Sequence, residues 1–290
     1  MNLSLFDPAF DRAGLARRLR ALAAENIWIG TSSWKYQGWL DQIYSRERYL
    51  SRGRFSKKRF ESECLAEFSE TFPTVCGDFA FYQFPTPEFW SKLFATAPPG
   101  LKIALKVPRD AFEDAQALRT MFLDPLEPYV DQIGPLIFEF GARSATLGEF
   151  TRGLDALFTD LSGSFRYAVE VRNRGYLQPE YFACLQTHKV AHVFNSWTRM
   201  PPLPEQMAIP GAFTTDFTVM RALLRPGRAY EQAVEKFQPY DKVQDENPEV
   251  RDALREMIRR MKEERRAAYI YVNNRLEGNA PETIQAVVAD

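Results

Sequence analysis

The sequence predicts an α/β protein with a (β/α)8 TIM-barrel-like fold, a parallel closed sheet and a leading N-terminal helix. Short apolar segments of strand length alternate with amphipathic helical segments along the chain, a pattern typical of parallel sheets. Eight such strand segments can be counted, and a length of 290 residues suits one barrel. We therefore expect a single domain over residues 1–290, with residues 1–26 forming the leading helix and residues 27–288 the barrel.

The composition is that of an ordinary globular protein, with 45% hydrophobic and 26% charged residues. A net charge of −1 argues against attraction of the whole surface to nucleic acid or anionic membranes. No apolar run approaches the roughly 18 residues that span a bilayer, and the first residues lack the pattern of a signal peptide. We expect a cytoplasmic location without membrane contact. The three cysteines are widely spaced, which favours neither a disulfide framework nor a CxxC metal site.

The first two elements are the leading helix and the first strand. Residues 11–24 place Leu15, Leu19 and Leu22 on one helical face. Residues 27–31 form an apolar strand that ends in the small polar residues Gly-Thr-Ser-Ser. Such residues leave room for a ligand to approach the backbone, although a tight turn explains them equally well.

Residues 46–59, called here the basic stretch, follow the first strand. They hold seven Arg or Lys residues and one acid, with interleaved aromatic residues. This pattern favours two interpretations: a patch for phosphate or single-stranded nucleic acid, or a solvated loop with aromatic anchors, which we prefer. Because the basic stretch follows a strand end, we expect it to overhang the mouth of the barrel.

The other seven strands are expected at apolar segments, of which the segment 212–221 is the weakest. The segment 222–249 is an insertion, long for a connection in a compact barrel. Two amphipathic helices complete the chain, at residues 250–266 and 281–288. The seven strands are predicted at 74–84, 101–108, 134–140, 166–172, 190–196, 212–221 and 267–274.

Polar residues recur at the carboxyl ends of the predicted strands. Glu170 interrupts a buried strand and is followed by Arg172 and Asn173. A carboxylate inside a buried strand is costly unless something pairs with it or uses it. Active sites of barrels of this class lie at the carboxyl ends of the strands, so the sequence predicts a polar pocket there. The other polar residues at these ends are Thr31, Asp78, Lys106, Glu139, Asn195, Asn273 and Asn274.

The side-chain types at these ends point to several kinds of chemistry. Lys106 is a candidate Schiff-base nucleophile or a cation for a substrate anion, and a buried ion pair with Glu139 or Glu170 is an equal alternative. Glu170 and Asp78 are candidates to share acid–base work. Arg172 would orient a carboxylate or phosphate bidentately.

Neither a cofactor nor a metal is indicated by a sequence motif. A P-loop, a GxGxxG fingerprint, a GxSxG elbow and a zinc motif are all absent from the sequence. His188 and His192 have the i, i+4 spacing of a helix face, but His192 belongs to a predicted strand. A carboxylate-bound Mg²⁺ or Mn²⁺ held by Asp78, Glu139 and Glu170 remains an alternative.

Six strings in chain order resemble the blocks of the YecE-like family, also known as domain of unknown function 72. The resemblance covers residues 27–288, and its specificity comes from the order of the six strings. It implies a TIM-barrel fold and does not imply a reaction, because the biochemical function of that family is not established. The strings are IGTSSW, FPTVCGDFAFYQFPTPEFW, LKIALKVPR, GPLIFEF, AVEVRN and YIYVNNRLEGNAPETI.

The resemblance also assigns positions to the mouth of the barrel, and the sequence departs from the family at four others. The matching positions are Gly30, Thr31, Ser32, Trp34, Tyr82, Lys106, Glu170, Arg172, Asn273 and Asn274. Cys76 and Asp78 stand where members commonly have Glu and Asn, Glu139 where many have Gln, and Asn173 where a His is frequent. These departures imply a divergent subgroup.

Taken together, these features favour an enzyme with a charged pocket, acting on a small polar or anionic substrate by acid–base or hydrolytic chemistry. One alternative is a nucleic-acid or phosphoester-binding protein that uses the basic stretch; another is a barrel that binds a metabolite or partner without catalysis. The expected catalytic residues are Lys106, Glu170 and Asp78. The expected substrate-binding residues are Thr31, Ser32, Trp34, Tyr82, Glu139, Arg172, Asn173, Asn195, Asn273 and Asn274.

Overall fold

The computed structural model describes residues 10–81, 83–112, 114–141, 145–161 and 163–289. Tyr82, expected at the pocket, lies outside these residues. Within them, no helix combines the length and the apolar character that a membrane span requires.

Eight parallel strands close into a barrel, which confirms the predicted fold class. Each strand pairs with its neighbours in sequence, and the last pairs with the first, so the order around the barrel is that of the chain. The strands are β1 Ile27–Thr31, β2 Thr74–Gly77, β3 Lys102–Lys106, β4 Ile133–Phe140, β5 Tyr167–Val171, β6 Ala191–Asn195, β7 Phe217–Ala222 and β8 Ala267–Val272.

Helices cover the outside of the barrel and include the predicted leading helix. Between β3 and β4 the chain forms short helical pieces, including a π-helical segment Leu118–Leu123. A small hairpin pairs Leu50–Ser51 with Arg54–Phe55 in the basic stretch. The main helices are α1 Arg12–Ala24, α2 Lys57–Ser69, α3 Pro87–Thr96, α4 Leu147–Thr159, α5 Pro179–Thr187, α6 Leu203–Ala208, α7 Tyr230–Phe237, α8 Pro248–Glu264, α9 Asn274–Glu277 and α10 Ala280–Val287.

Two predicted strands differ in extent from the observed ones. The segment 74–84 leaves the sheet after Gly77, because a turn follows in which the Phe81 N–H donates to the Asp78 carbonyl (3.1 Å). The segment 212–221 joins the sheet only at Phe217. Ahead of it, the Thr214 hydroxyl donates to the Val190 carbonyl (2.6 Å), which holds that part of the chain against β6 as a loop.

The barrel interior is packed with side chains from alternate strand residues. Gly30 allows β1 and β2 to approach closely, since a Cβ there would lie 1.8 Å from the Thr74 carbonyl oxygen. The Tyr271 hydroxyl lies 3.2 Å from Thr74 Oγ1 inside the barrel. The residues of the interior cluster are Cys76, Ala104, Ile137, Ala168, Ala191, Val193, Phe217, Val219, Tyr269 and Tyr271.

The insertion between β7 and α8 contains helix α7 and packs on the mouth side of the barrel. Its buried residues Ala233, Phe237 and Tyr240 form a separate apolar cluster with Leu224, which follows β7. Asp245 closes the insertion by binding three cations: Arg225 Nη1 (2.6 Å), Arg228 Nη2 (2.5 Å) and Lys236 Nζ (2.9 Å). Hydrogen bonds from Lys236 and Arg228, with the charge of Arg225, lower the pKa of Asp245.

Candidate functional site at the carboxyl ends of the strands

A cavity of about 290 Å³ opens at the carboxyl ends of the strands. Period-2 alternation places Lys106, Glu139 and Arg221 above the apolar interior, because each lies two positions after an interior residue of the same strand. Lys106 follows Ala104 in this way, and Glu139 follows Ile137. All eight strand ends contribute to the lining, which consists of Ser32, Asp78, Phe81, Lys106, Arg109, Glu139, Arg172, Trp197, Arg221, Leu223, Leu224, Tyr230, Asn273 and Arg275.

Glu139 and Glu170 face each other in register on β4 and β5. One oxygen of Glu139, Oε2, accepts from Lys106 Nζ (2.8 Å), from Arg172 Nη2 (2.7 Å) and, at 3.4 Å, from Arg221 Nη1. This carboxylate is 5% exposed, so the three cations compensate for its loss of water.

Glu170 lies beneath the cavity and is fully buried. Its Oε1 accepts from Arg172 Nε (3.2 Å), and its Oε2 accepts from Arg221 Nη1. Burial raises the pKa of this carboxyl group, but the charges of Arg221, Arg172 and Lys106 outweigh burial and hold the pKa below its ordinary value. Glu170 is therefore ionised near neutral pH and fixes the two guanidinium groups.

Two of the cations also rest on aromatic rings. Lys106 Nζ lies 3.8 Å from the centroid of the Phe81 ring, and the guanidinium carbon of Arg172 lies 3.6 Å from that of Trp197. Ion pairs and ring contacts together leave these side chains few alternative positions. The cations of the mouth are thus held in place before any ligand binds.

In the described parts of the chain, three other charged groups of the cavity lack a partner of opposite charge. Among the described residues, Arg109 and Arg275 make no ion pair with a carboxylate, and Asp78 makes none with a cation. Arg275 instead stacks on Tyr230, 4.4 Å from the ring centroid. Two further lining atoms, Ser32 Oγ and Arg221 Nε, are buried and have no hydrogen-bond partner among the described residues. As far as the structure describes the chain, the cavity therefore presents two buried donors that lack acceptors and two guanidinium groups that lack a carboxylate.

Of the residues predicted for the site, seven are brought together. Glu170 lies directly below the cavity. The six that line it are Ser32, Asp78, Lys106, Glu139, Arg172 and Asn273. Asn273 also caps α9, since its Oδ1 accepts from the Arg275 backbone N–H (2.9 Å).

The other predicted residues within the described chain do not line the cavity. The Thr31 hydroxyl donates to the Ser33 carbonyl (2.6 Å), and Trp34 packs edge-on against Phe79. The remaining three hold the backbone through their amides. Asn173 accepts from the Gly175 N–H (3.0 Å), Asn195 donates to the Val171 carbonyl (3.1 Å), and Asn274 accepts from the Ala280 N–H (2.8 Å).

The comparisons with known proteins identify the family. The family model described as "Protein of unknown function DUF72" matches residues 28–290. The chain belongs to the DUF72 family. This confirms the resemblance seen in the six strings.

Two solved structures of DUF72 family proteins have the same fold. The structure from Thermotoga maritima is 18% identical with a TM-score of 0.62, and covers 90% of this chain and 97% of its own. The structure from Enterococcus faecalis is 16% identical with a TM-score of 0.59 and the same coverage. No match is found among curated proteins.

Several residues of the cavity in this DUF72 protein were not singled out from the sequence. Arg221 ends the weakest predicted strand, and its pairing with Glu170 depends on barrel closure. Arg109 and Arg275 follow strand ends by three residues, outside the positions that the pattern marks. Their positions after β3 and β8 were the only signal available.

The carboxylate-bound metal alternative does not fit this mouth. Glu139 and Glu170 already bind cationic side chains. Within the described residues, Asp78, Glu139 and Glu170 do not come together as a group with metal-ligand spacing. Among the described residues, the three carboxylates therefore do not form a ligand set for Mg²⁺ or Mn²⁺.

The basic stretch of the DUF72 protein is largely neutralised by neighbouring acids. Tyr49 within it and Phe60 directly after it are buried, so their rings are not free to stack on bases. None of its residues lines the mouth cavity. Its ion pairs join Arg46 to Asp41 (3.5 Å), Arg48 to Glu70 (2.8 Å), Lys57 to Glu61 (3.7 Å) and Arg59 to Glu63 (3.0 Å).

Proposed function

We propose that this DUF72 protein is an enzyme that binds a small substrate with a carboxylate or phosphate group at the mouth of the barrel. The charge balance supports an anion. Five cationic side chains surround the cavity, against two carboxylates in its lining and Glu170 beneath it. The cations are Lys106, Arg109, Arg172, Arg221 and Arg275.

The observation that carries the proposal is a pair of buried donors without acceptors beside two arginines without a carboxylate in the described part of the chain. Arg109 and Arg275 have no carboxylate partner among the described residues, and the buried donors Ser32 Oγ and Arg221 Nε have no hydrogen-bond partner there. Buried polar groups in proteins are nearly always paired. A carboxylate or phosphate offers several acceptor oxygens at once, which is what this lining requires.

Most charged groups of the cavity are held in ion pairs, here called holding groups, and one carboxylate is not paired with a cation among the described residues. Lys106 Nζ is bound to Glu139 Oε2 at 2.8 Å, so we assign Lys106 to the holding groups and not to a Schiff-base nucleophile. Glu170 is fully committed to Arg172 and Arg221. Asp78 is exposed and has no cationic partner among the described residues, so we assign it the role of general acid or base.

The binding step is tested by thermal stabilisation of the purified protein. The panel contains inorganic phosphate, sugar phosphates, small carboxylates, neutral sugars and divalent metals, against wild type and Arg275→Gln. Arg259→Gln on the solvated face of α8 is the matched control. A ligand that binds the native state raises the midpoint by mass action, so anions should stabilise wild type and Arg259→Gln more than Arg275→Gln. Equal stabilisation of all three proteins, or stabilisation by neutral sugars alone, would contradict an anion site.

The catalytic step is tested with the compounds that stabilise best. Asp78→Asn should retain binding and lose about 100-fold or more in turnover, the range for loss of a general acid or base. Unchanged turnover in Asp78→Asn would remove its assigned role. Binding without turnover by wild type would favour the alternative of a barrel that binds a metabolite without catalysis.

A further inference from the structure

A second group of chemically active side chains lies away from the mouth, where helices α4 and α5 meet. Asp155 on α4, Cys184 on α5 and His188, which ends α5, bring a carboxylate oxygen, a thiol sulfur and an imidazole nitrogen within 4.8 Å of one another. The site is on the amino-terminal side of the barrel, because His188 precedes β6. It is therefore independent of the proposed function.

The geometry points to a Zn²⁺ site formed by Asp155, Cys184 and His188, with water as the fourth ligand. These three side chains supply the ligand types that bind zinc in proteins, and thiolate with imidazole favours Zn²⁺ over Mg²⁺ or Ca²⁺. No other group of this spacing is found in the described part of the chain.

The two helices hold the donors in facing rows. Cys184 and His188 are four residues apart, and so are Thr151 and Asp155 on α4. The Cys184 thiol lies 3.6 Å from the Thr151 carbonyl oxygen, and His188 Nε2 lies 2.8 Å from Asp155 Oδ1. Buried apolar residues pack each helix onto the rest of the protein, so the positions of Thr151, Asp155 and Cys184 are set by the two helices and not by a loop.

The distances suit a small tetrahedral ion. Bonds of about 2.0–2.3 Å to zinc place neighbouring ligand atoms about 3.3–3.8 Å apart. Donors within 4.8 Å of one another therefore need movements of about 1 Å. Asp155 is two-thirds exposed and can change rotamer freely, while His188 rests against the Phe158 ring. Metal binding would release the thiol proton and replace the His188–Asp155 contact by two metal bonds.

The site is tested by titrating the metal-free full-length protein with Co²⁺, a spectroscopic substitute for Zn²⁺. Wild type should bind one equivalent with a thiolate-to-cobalt charge-transfer band, and Zn²⁺ should displace it. The band should be absent in Cys184→Ser, and affinity should fall at least about tenfold in His188→Gln and Asp155→Asn. Asp160→Asn, an exposed carboxylate at the end of the same helix, should behave as wild type.

Two results of the cobalt titration would overturn the site. One is the absence of a thiolate band in wild type. The other is a band that persists in Cys184→Ser, since it would come from Cys64 or Cys76. Thermal unfolding gives an independent reading, in which Zn²⁺ should raise the midpoint of wild type and Asp160→Asn but not that of Cys184→Ser. Equal shifts in all three would mean adventitious metal binding only.

Discussion

Glu170 on β5 and Arg221 on β7 form an ion pair across β6, at the level where the apolar interior of the barrel ends and the cavity begins. Both side chains are almost fully buried. Glu170 also binds Arg172, and Arg221 also reaches Glu139, so the pair is the base of a network that joins β3, β4, β5 and β7. The network fixes the cations that a ligand at the mouth would meet.

Removal of the Glu170 charge should destabilise the protein. Glu170→Gln removes one of the two carboxylates that Arg172 and Arg221 share, and breaking a buried pair typically costs about 3–5 kcal/mol. Urea unfolding should show this loss, while Glu180→Gln on the surface of α5 should not. If Glu170→Gln unfolds like wild type, the carboxylate is not the anchor of the network.

A buried histidine should make stability depend on pH. Burial lowers the pKa of His192 to about 3, against about 6.5 in the unfolded chain. Below about pH 6.5 the unfolded chain therefore binds a proton at His192, whereas the folded protein does not. The free energy of unfolding falls as the pH is lowered from about 6.5 toward about 3. Between about pH 7 and pH 4, wild type should lose about 3 kcal/mol more than His192→Gln in urea unfolding. Parallel losses in the two proteins would exclude His192 as the cause.

The insertion should loosen when its central acid is removed. Asp245→Asn weakens three contacts, to Arg225, Arg228 and Lys236. Trypsin cleaves at Arg and Lys, so limited proteolysis should cut this segment faster in Asp245→Asn than in wild type. Asp252→Asn, which removes one exposed pair on α8, is the control. Equal cleavage rates in all three proteins would show that Asp245 does not hold the insertion closed.

The basic stretch should not bind single-stranded oligonucleotides with high affinity. Four of its cations are paired with acids, and the rings of Tyr49 within it and Phe60 directly after it are buried. Fluorescence anisotropy at low salt should give weak binding that changes little when Arg52, Arg54, Lys57 and Lys58 are replaced by Ser. Tight binding with a steep salt dependence, lost in that variant, would favour the nucleic-acid alternative.

The sequence predicts the fold well because the signal is local and repeated. Strand and helix periods alternate along the chain, and the carboxyl ends of parallel strands meet at one face. Lys106, Glu139, Glu170 and Arg172 could be placed together for that reason alone. Period 2 also directs the first three inward.

The sequence does not show which strand-end side chains face the cavity and which bond to the backbone. Thr31, Asn173, Asn195 and Asn274 occupy strand ends as expected, yet their side chains bond to nearby backbone. The amide that caps a turn and the amide that binds a ligand give the same sequence pattern. Arg221 was not expected at the site, yet it belongs to the charged network. Its place there depends on the ion pair with Glu170, which lies 51 positions away in the chain.

The most direct test of the anion site is calorimetric titration with the compound that stabilises wild type most. The Kd of this compound is measured for wild type, for the Arg109→Gln/Arg275→Gln double variant and for Arg259→Gln. The two arginines without a carboxylate partner should provide much of the affinity, so the double variant should bind at least about tenfold more weakly. Arg259→Gln should match wild type. The same Kd in all three proteins would contradict an anion site at the mouth of the barrel.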